Sequence, residues 1–273
     1  WCVCFCLFFG GWWSIVPTQN LVDTYEMADG LTKEESGSYD PNHPFAGRDP
    51  RMAMTIIYPG MDWNGTVVNT LDKTINGKDN ANYPPSANNA SKTALTWRKY
   101  LDEQYANGIW NTNACPIVIR YAEVLLTYAE AVNELSGPSA DVYDKLDLIR
   151  GRVGMPKVDR EKYASKETLR RLIRRERGVE LAGEGVRRAD ILRWKDDNGK
   201  MVAETVLNGV LERVVGTVNY AETDPTKRAE IDTNAPATDK KIEDRVFKVH
   251  NRYNPIPQGA IDNNPNLEQN PGY

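Results

Sequence analysis

Three glutamates, Glu176, Glu180 and Glu184, recur at four-residue spacing in a stretch crowded with arginine. That spacing stacks side chains on one face of a helix. Two carboxyls on adjacent turns stand at about the 5–10 Å separation that glycoside hydrolysis uses. The same chemistry needs one carboxyl to keep its proton, and neighbouring guanidiniums favour the ionised form of both. No catalytic residue is therefore assigned. Three like charges on one inner stripe repel unless cations meet them. The spacing predicts a structural ion-pair network of Glu176, Glu180, Glu184 and Asp190, with Arg187, Arg188 and Arg193 as the cations. A nucleic-acid face is the competing reading, because residues 150–195 hold 15 Lys or Arg against 7 Asp or Glu. Ion pairs between helices account for the same residues, and a net charge of −4 gives no general attraction to phosphate. No nucleic-acid partner is expected.

The aromatic residues suggest a second chemistry. The chain has 7 Trp and 13 Tyr but only 5 Phe. Trp12, Trp13, Trp63, Trp97 and Trp110 are the candidate ligand-binding residues, and four of them lie in or beside stretches rich in Asn, Asp and Gly. Flat rings stack on the apolar faces of sugars, while Asn and Asp bond the hydroxyls. Packing into a core competes with that role at every one of these rings. Trp194 closes an amphipathic stretch and is read as core.

Other chemistry finds little support. His43 and His250 have no Cys, Asp or Glu at ligand spacing, and Cys2, Cys4, Cys6 and Cys115 match no zinc pattern. Loops such as 224–244 offer oxygens to calcium, but no spacing defines a site. Nucleotide-binding and nucleophile-elbow motifs are absent from the sequence. No metal and no cofactor is assigned.

The elements that position these residues are mostly helical. Pro17 and Thr18 introduce a helix through Leu21, Val22 and Tyr25, stopping near Gly30. The β-branched run from Met52 to Tyr58 reads as a strand. Residues 62–95 read as a long polar loop. Pro116 to Leu135 carries apolar residues at helical spacing (Val118, Tyr121, Ala122, Leu125, Tyr128, Ala129, Val132, Leu135), and Gly137-Pro138 ends it. Ser139 caps the next helix, giving a helix pair at 116–152. A second pair spans 166–194, opened by Ser165 with Thr168 as an imperfect capping box. Val246 to Val249 reads as a short strand, and the Pro-rich tail from Asn254 as extended. The apolar opening, Trp1 to Phe9, lacks the basic start of a signal peptide and is too short and Gly-broken to span a membrane. Residues 1–11 are left unassigned, as an artefactual or truncated end, with a buried strand as the competing reading.

Four segments carry a family resemblance. The run Pro116-Ile-Val-Ile-Arg-Tyr-Ala-Glu-Val-Leu-Leu-Thr-Tyr-Ala-Glu-Ala resembles the long helix of SusD/RagB proteins. Arg175-Glu-Arg-Gly-Val-Glu-Leu-Ala-Gly-Glu-Gly-Val-Arg-Arg-Ala-Asp-Ile-Leu-Arg-Trp194 is similar to that family's charged signature. Pro17-Thr-Gln-Asn-Leu-Val-Asp-Thr-Tyr25 resembles a mid-chain motif, and the stretches 254–258 and 264–273 resemble the terminal segment. Standing in the family's order, they identify residues 12–273 as the C-terminal part of a SusD-like domain. The resemblance implies a mostly α fold, a SusD-like superhelix of tetratricopeptide-like helix pairs with long irregular loops and a few short strands. It implies no catalysis. It implies capture of an oligosaccharide or polysaccharide for nutrient import, with a SusC-like TonB-dependent transporter as partner. It implies a place on the cell-surface face of the outer membrane in Bacteroidota, through a lipid anchor on an N-terminal cysteine absent from this chain; Cys2, Cys4 and Cys6 are not that cysteine. A helical-repeat scaffold that binds only protein is the alternative, and a glycoside hydrolase a more distant one. Family members are about twice as long. Gly178 and Ala182-Gly183 depart from it, standing where bulkier or charged residues are common.

Overall fold

A computed structural model describes residues 15–84, 90–101, 103, 115 and 117–273. Two compact units emerge, residues 1–185 with 212–242, and residues 186–211 with 243–273.

The first unit begins with α1 (Gln19–Thr24), whose Val22 is buried. α2 (Pro50–Thr55) follows a loop. Asp49 caps it by accepting a 2.9 Å hydrogen bond from the Arg51 amide, and Pro50 occupies the first turn, where a missing N–H costs nothing. The expected strand at 52–58 is therefore mostly helix. Only Ile56–Ile57 (β1) stays extended, pairing antiparallel with Thr96–Trp97 (β6). The Asp-Pro start outweighed the β propensity of the residues behind it.

Between β1 and β6 the expected long loop holds two hairpins. β2 (Asp62–Trp63) pairs with β3 (Thr66–Val67), and β4 (Thr74–Ile75) with β5 (Lys78–Asp79). Each turns through Asn-Gly, Asn64-Gly65 and Asn76-Gly77, with φ between 47° and 77° at all four residues. Such turns require positive φ at both central positions, which Asn tolerates and Gly adopts freely. Val22, Tyr25, Phe45, Met52, Ile56, Trp63 and Leu95 build one core with Val179 of a later helix.

The long helices are α3 (Tyr121–Ser136), α4 (Ala140–Gly151) and α5 (Lys166–Glu180). α3 starts at Tyr121, after the expected Pro116, which lies outside the described residues. It ends at Gly137, where φ of 81° takes the chain out of helical geometry. Ser139 caps α4 as expected. In α5 the capping box is complete: the Thr168 amide donates to the Ser165 hydroxyl at 3.1 Å, and the Ser165 amide donates to the Thr168 hydroxyl at 3.2 Å. A threonine hydroxyl takes the place of the usual glutamate. α3 packs on both α4 and α5, burying Leu126, Ala129, Leu146, Leu169, Leu172 and Ile173. Full burial of one such leucine contributes about 1.5–3 kcal/mol.

The first unit closes with β8 (Gly216–Val218), antiparallel to β9 (Ala229–Ile231), and a short α8 (Ala237–Lys240). The second unit holds α6 (Arg187–Arg193) and α7 (Val202–Val206) around Ile191, Met201 and Ala203. β7 (Gly209–Glu212) and β10 (Lys241–Arg245) are the segments at which the chain leaves and re-enters it. The extended segment expected at 246–249 differs: the strand is Lys241–Arg245, and Val249–Arg252 forms a 3-10 turn. Nor is the tail wholly extended, since Gln258–Asn263 forms α9. The prolines fall outside its hydrogen-bonded turns, with Pro257 at the cap position, so they permit it. Among the described residues no helix is long and apolar enough to cross a membrane.

Candidate functional site

The glutamates of α5 lie at the centre of a buried ionic network. Glu176 is 2% exposed and Glu180 3%. Arg51, donated by α2, reaches Asp49 at 2.6 Å, Glu176 at 2.8 Å and Glu180 at 3.1 Å. Arg150, near the end of α4, lies 2.5 Å from Glu176 and 2.8 Å from Glu26, which Arg175 meets at 2.6 Å. Arg120, at the cap of α3, lies 2.7 Å from both Glu180 and Glu184. Arg152 lies 2.8 Å from Glu180, and the Lys99 ammonium pairs with Glu184 while donating to the carbonyls of Glu180 and Ala182.

Within the first unit the glutamates are met by cations that the spacing did not name. Glu176, Glu180 and Glu184 are met by Arg51, Lys99, Arg120, Arg150 and Arg152. Asp190 does form an ion pair, with Arg193 at 2.7 Å, beside Trp194 in the second unit. There Arg188 donates to the Asn251 carbonyl and the Asn254 side chain, and the Arg187 guanidinium lies 5.7 Å from the Trp194 ring centre. Trp194 is buried, as expected. Arg51 stands 125 residues from Glu176, so no periodicity within either segment could join them. The one local signal was Asp49 beside Arg51 around a proline.

Burial pushes the Glu180 carboxyl upward, but the Arg120 hydrogen bond and the Arg152 charge outweigh it, and the group sits below the usual carboxylate range. At the surface, the Lys162 hydrogen bond takes Glu35 down to about 2. Groups with lowered values stabilise the fold above their unfolded pKa and lose that contribution as pH falls through the folded one. The urea midpoint is accordingly expected to stay flat from pH 7 to about 5, then fall below about pH 4.3, the ordinary glutamate value. Chemical denaturation followed by circular dichroism from pH 7 to 3 checks this. A midpoint that rose on acidification would contradict it.

The tryptophans separate. Trp12, Trp13 and Trp110 lie outside the described residues. Trp63, expected in a loop as a stacking face, is 1% exposed and sits in the core of the first unit, so it offers no face to a sugar. The hairpin turn at Asn64-Gly65 folds its ring inward, and the Arg98 guanidinium lies 5.1 Å from the ring centre. Trp97 is half-buried on β6. Gly183, with φ of 78°, lets the chain pass close to it: a Cβ there would stand 3.3 Å from the ring. The departure from bulkier residues at 183 thus makes room for Trp97.

An open hollow of about 470 Å³ lies between Asn42-His43 and the β8–β9 pair, lined by Gly216, Thr217, Glu230, Ile231 and Asp232. Its walls offer amide, hydroxyl, carboxylate and imidazole groups and no Trp, Tyr or Phe ring. Among the described residues no group of three or more His, Cys, Asp or Glu is arranged to hold a metal ion.

The chain is similar to known proteins along nearly its whole length. Residues 9–273 match the SusD family. A SusD-like carbohydrate-binding protein from Bacteroides fragilis is 31% identical, with a TM-score of 0.74 over 97% of this chain and 50% of that one. A second SusD-like protein from Bacteroides fragilis is 26% identical, with a TM-score of 0.70 over 99% of this chain and 50% of that one. A SusD-like protein from Formosa agariphila is 34% identical over 154 residues, 52% of this chain and 29% of its own length. The chain thus spans about half the length of the solved relatives it matches. The helical architecture and the family match agree, and the chain belongs to the SusD family.

Proposed function

We propose that this chain is part of a non-catalytic, cell-surface glycan-binding protein that serves nutrient uptake with a SusC-like TonB-dependent transporter. The observation that carries the reading is membership of the SusD family, together with the carbohydrate-binding description of the 31%-identical relative. Lipid anchoring to the outer membrane of a Bacteroidota cell belongs to the same reading. A non-catalytic role is supported by the fate of the acid pair: Glu176 and Glu180 are both buried and held by arginines, which closes them to a substrate, and Glu180 sits below the usual carboxylate range. Among the described tryptophans, Trp97 is the proposed stacking face, with Trp12, Trp13 and Trp110 as further candidates.

The test is tryptophan fluorescence of the intact protein titrated with plant and host polysaccharides. A saturable shift with one glycan class is expected. It should weaken about fivefold in Trp97→Ala, the equivalent of a stacking contribution of about 1 kcal/mol. No shift with any glycan, alongside co-purification with a transporter, would replace this reading with a scaffold that binds protein alone.

A further inference from the structure

Tyr100 holds a backbone conformation that a tyrosine rarely adopts, with φ of 71°. The other described non-glycine residues with positive φ are Asn64 and Asn76, in hairpin turns, and Ala94, in the core. Tyr100 is the one bulky side chain among them. The Leu101 amide donates to the Arg98 carbonyl at 2.8 Å, closing a turn over residues 98–101. Tyr100 takes the third position, where positive φ favours glycine. Strain of this kind persists only where the surroundings fix it, and it gathers at ligand clamps.

Here the surroundings do fix it. The Arg98 amide donates to the Thr55 carbonyl at 2.8 Å at the start of the turn, and Leu101 packs on the core at its end. Between them the Lys99 ammonium donates to the carbonyls of Glu180 and Ala182 and pairs with Glu184. Tyr100 is left half-buried near the same Glu184 and Arg120, and burial together with the Glu184 charge pushes its phenol upward. Trp97, three residues earlier, has its ring against Gly183. Both rings thus border the stretch that follows α5.

The charges around these rings are already matched. Lys99 directs all of its N–H donors to Glu180, Ala182 and Glu184. Arg120 donates from Nε and both terminal nitrogens to Glu180 and Glu184. The Glu184 side chain is itself buried. Arg98 donates to the Ala53 carbonyl and lies over the Trp63 ring. A carboxylated or sulfated sugar is held best by an open cation, whereas a neutral one is held by flat rings and uncharged hydrogen bonds.

We propose that Tyr100 is a second stacking ring beside Trp97, and that the two together take a neutral oligosaccharide. The assignment rests on the glycan-binding reading and adds to it a contact residue and a ligand class. A turn alone would favour glycine at residue 100, so the tyrosine is retained for what its ring touches.

The experiment titrates the intact protein with neutral polysaccharides (amylose, xyloglucan, galactomannan) and anionic ones (polygalacturonate, alginate, heparin), following tryptophan fluorescence. Saturable binding is expected in the neutral set. Tyr100→Gly should weaken it about fivefold while the urea midpoint holds or rises, because glycine relieves the backbone. Tyr100→Phe should keep the parental affinity, because the flat face remains. A ring that only supports the fold would give the opposite pattern, with the midpoint falling and the affinity per folded molecule unchanged. That pattern overturns the assignment, and so does unchanged affinity in Tyr100→Gly when Trp97→Ala weakens binding; in both cases the glycan-binding reading stands. Tighter binding of the anionic set overturns the ligand class. Binding of neither set removes the glycan-binding reading itself, and this assignment with it.

Discussion

Arg51→Met is expected to lose about 3–5 kcal/mol of folding stability, the usual cost of leaving buried charge without its partner. Arg51 is itself buried and touches Asp49, Glu176 and Glu180. Methionine keeps much of the volume and removes every one of those contacts. Glu176 keeps Arg150, and Glu180 keeps Arg120 and Arg152, but buried Asp49 loses the guanidinium that meets it. Against a total stability of about 5–15 kcal/mol, the loss leaves the first unit largely unfolded in mild urea. Arg51→Lys should recover only part, because a single ammonium cannot replace a fork that spans three acids. Replacing Arg51 and Glu176 together by apolar residues should cost less than the sum of the two single changes, since the two side chains are direct partners and their shared contact is counted in both. Urea denaturation of the four proteins measures all of this. A loss under about 1 kcal/mol for Arg51→Met would place the network with surface ion pairs and refute its buried role.

The network also explains why α5 carries so many charges on its inner side. Its apolar residues Leu169, Leu172 and Ile173 pack at the start of the helix, and its acids take over from Glu176 onward. That second half meets the start of α2, the end of α4 and the start of α3. Helix ends bring polar groups that a purely apolar surface cannot satisfy. Lys99 shows the point directly, donating to the carbonyls at and beyond the end of α5. The buried acids thus act as a junction for helix termini.

What was legible in the sequence follows from distance along the chain. The caps at Ser139 and Ser165, the stop at Gly137 and the burial of Trp194 are set within a few residues, and all appear as read. The family motifs and the helical class were legible for the same reason. The Asn-Gly hairpins at 64–65 and 76–77 carried an equally local signal, but the polar composition around them masked it. The helix at Pro50 was hidden behind a β-branched run. The cations that meet Glu176 and Glu180 were not legible, because helix periodicity says which face a residue occupies and nothing about which distant segment covers it. The same limit applied to α3. Its spacing correctly marked an amphipathic helix, with Leu125 and Ala129 buried, but Tyr121, Tyr128 and Leu135 of the same expected stripe face outward. Periodicity marks the stretch as helical, but it does not say which of its apolar residues the neighbouring helices α4 and α5 cover.

Trp63 is where the difference between a surface and a core reading has its largest measurable consequence. Trp63→Ala is expected to lose about 3–5 kcal/mol, the range for emptying a buried aromatic site. The ring lies among Ile56, Val68 and Leu95 in the main core of the first unit, and its hairpin is pinned by the register of Asp62 with Val67 and Trp63 with Thr66. The cavity left behind cannot collapse without moving that hairpin. Trp97→Ala removes a half-buried ring from a two-residue strand and should cost less, about 1–2 kcal/mol, near the centre of ordinary substitutions. The two variants therefore answer different questions. A fall in glycan affinity in Trp97→Ala at unchanged helical content reports on contact with ligand. A fall in Trp63→Ala should track the folded fraction and vanish when affinity is expressed per folded molecule. If Trp63→Ala instead kept the parental urea midpoint and lost glycan binding, the ring would be a surface platform after all, and the core assigned here to the first unit would have to be redrawn.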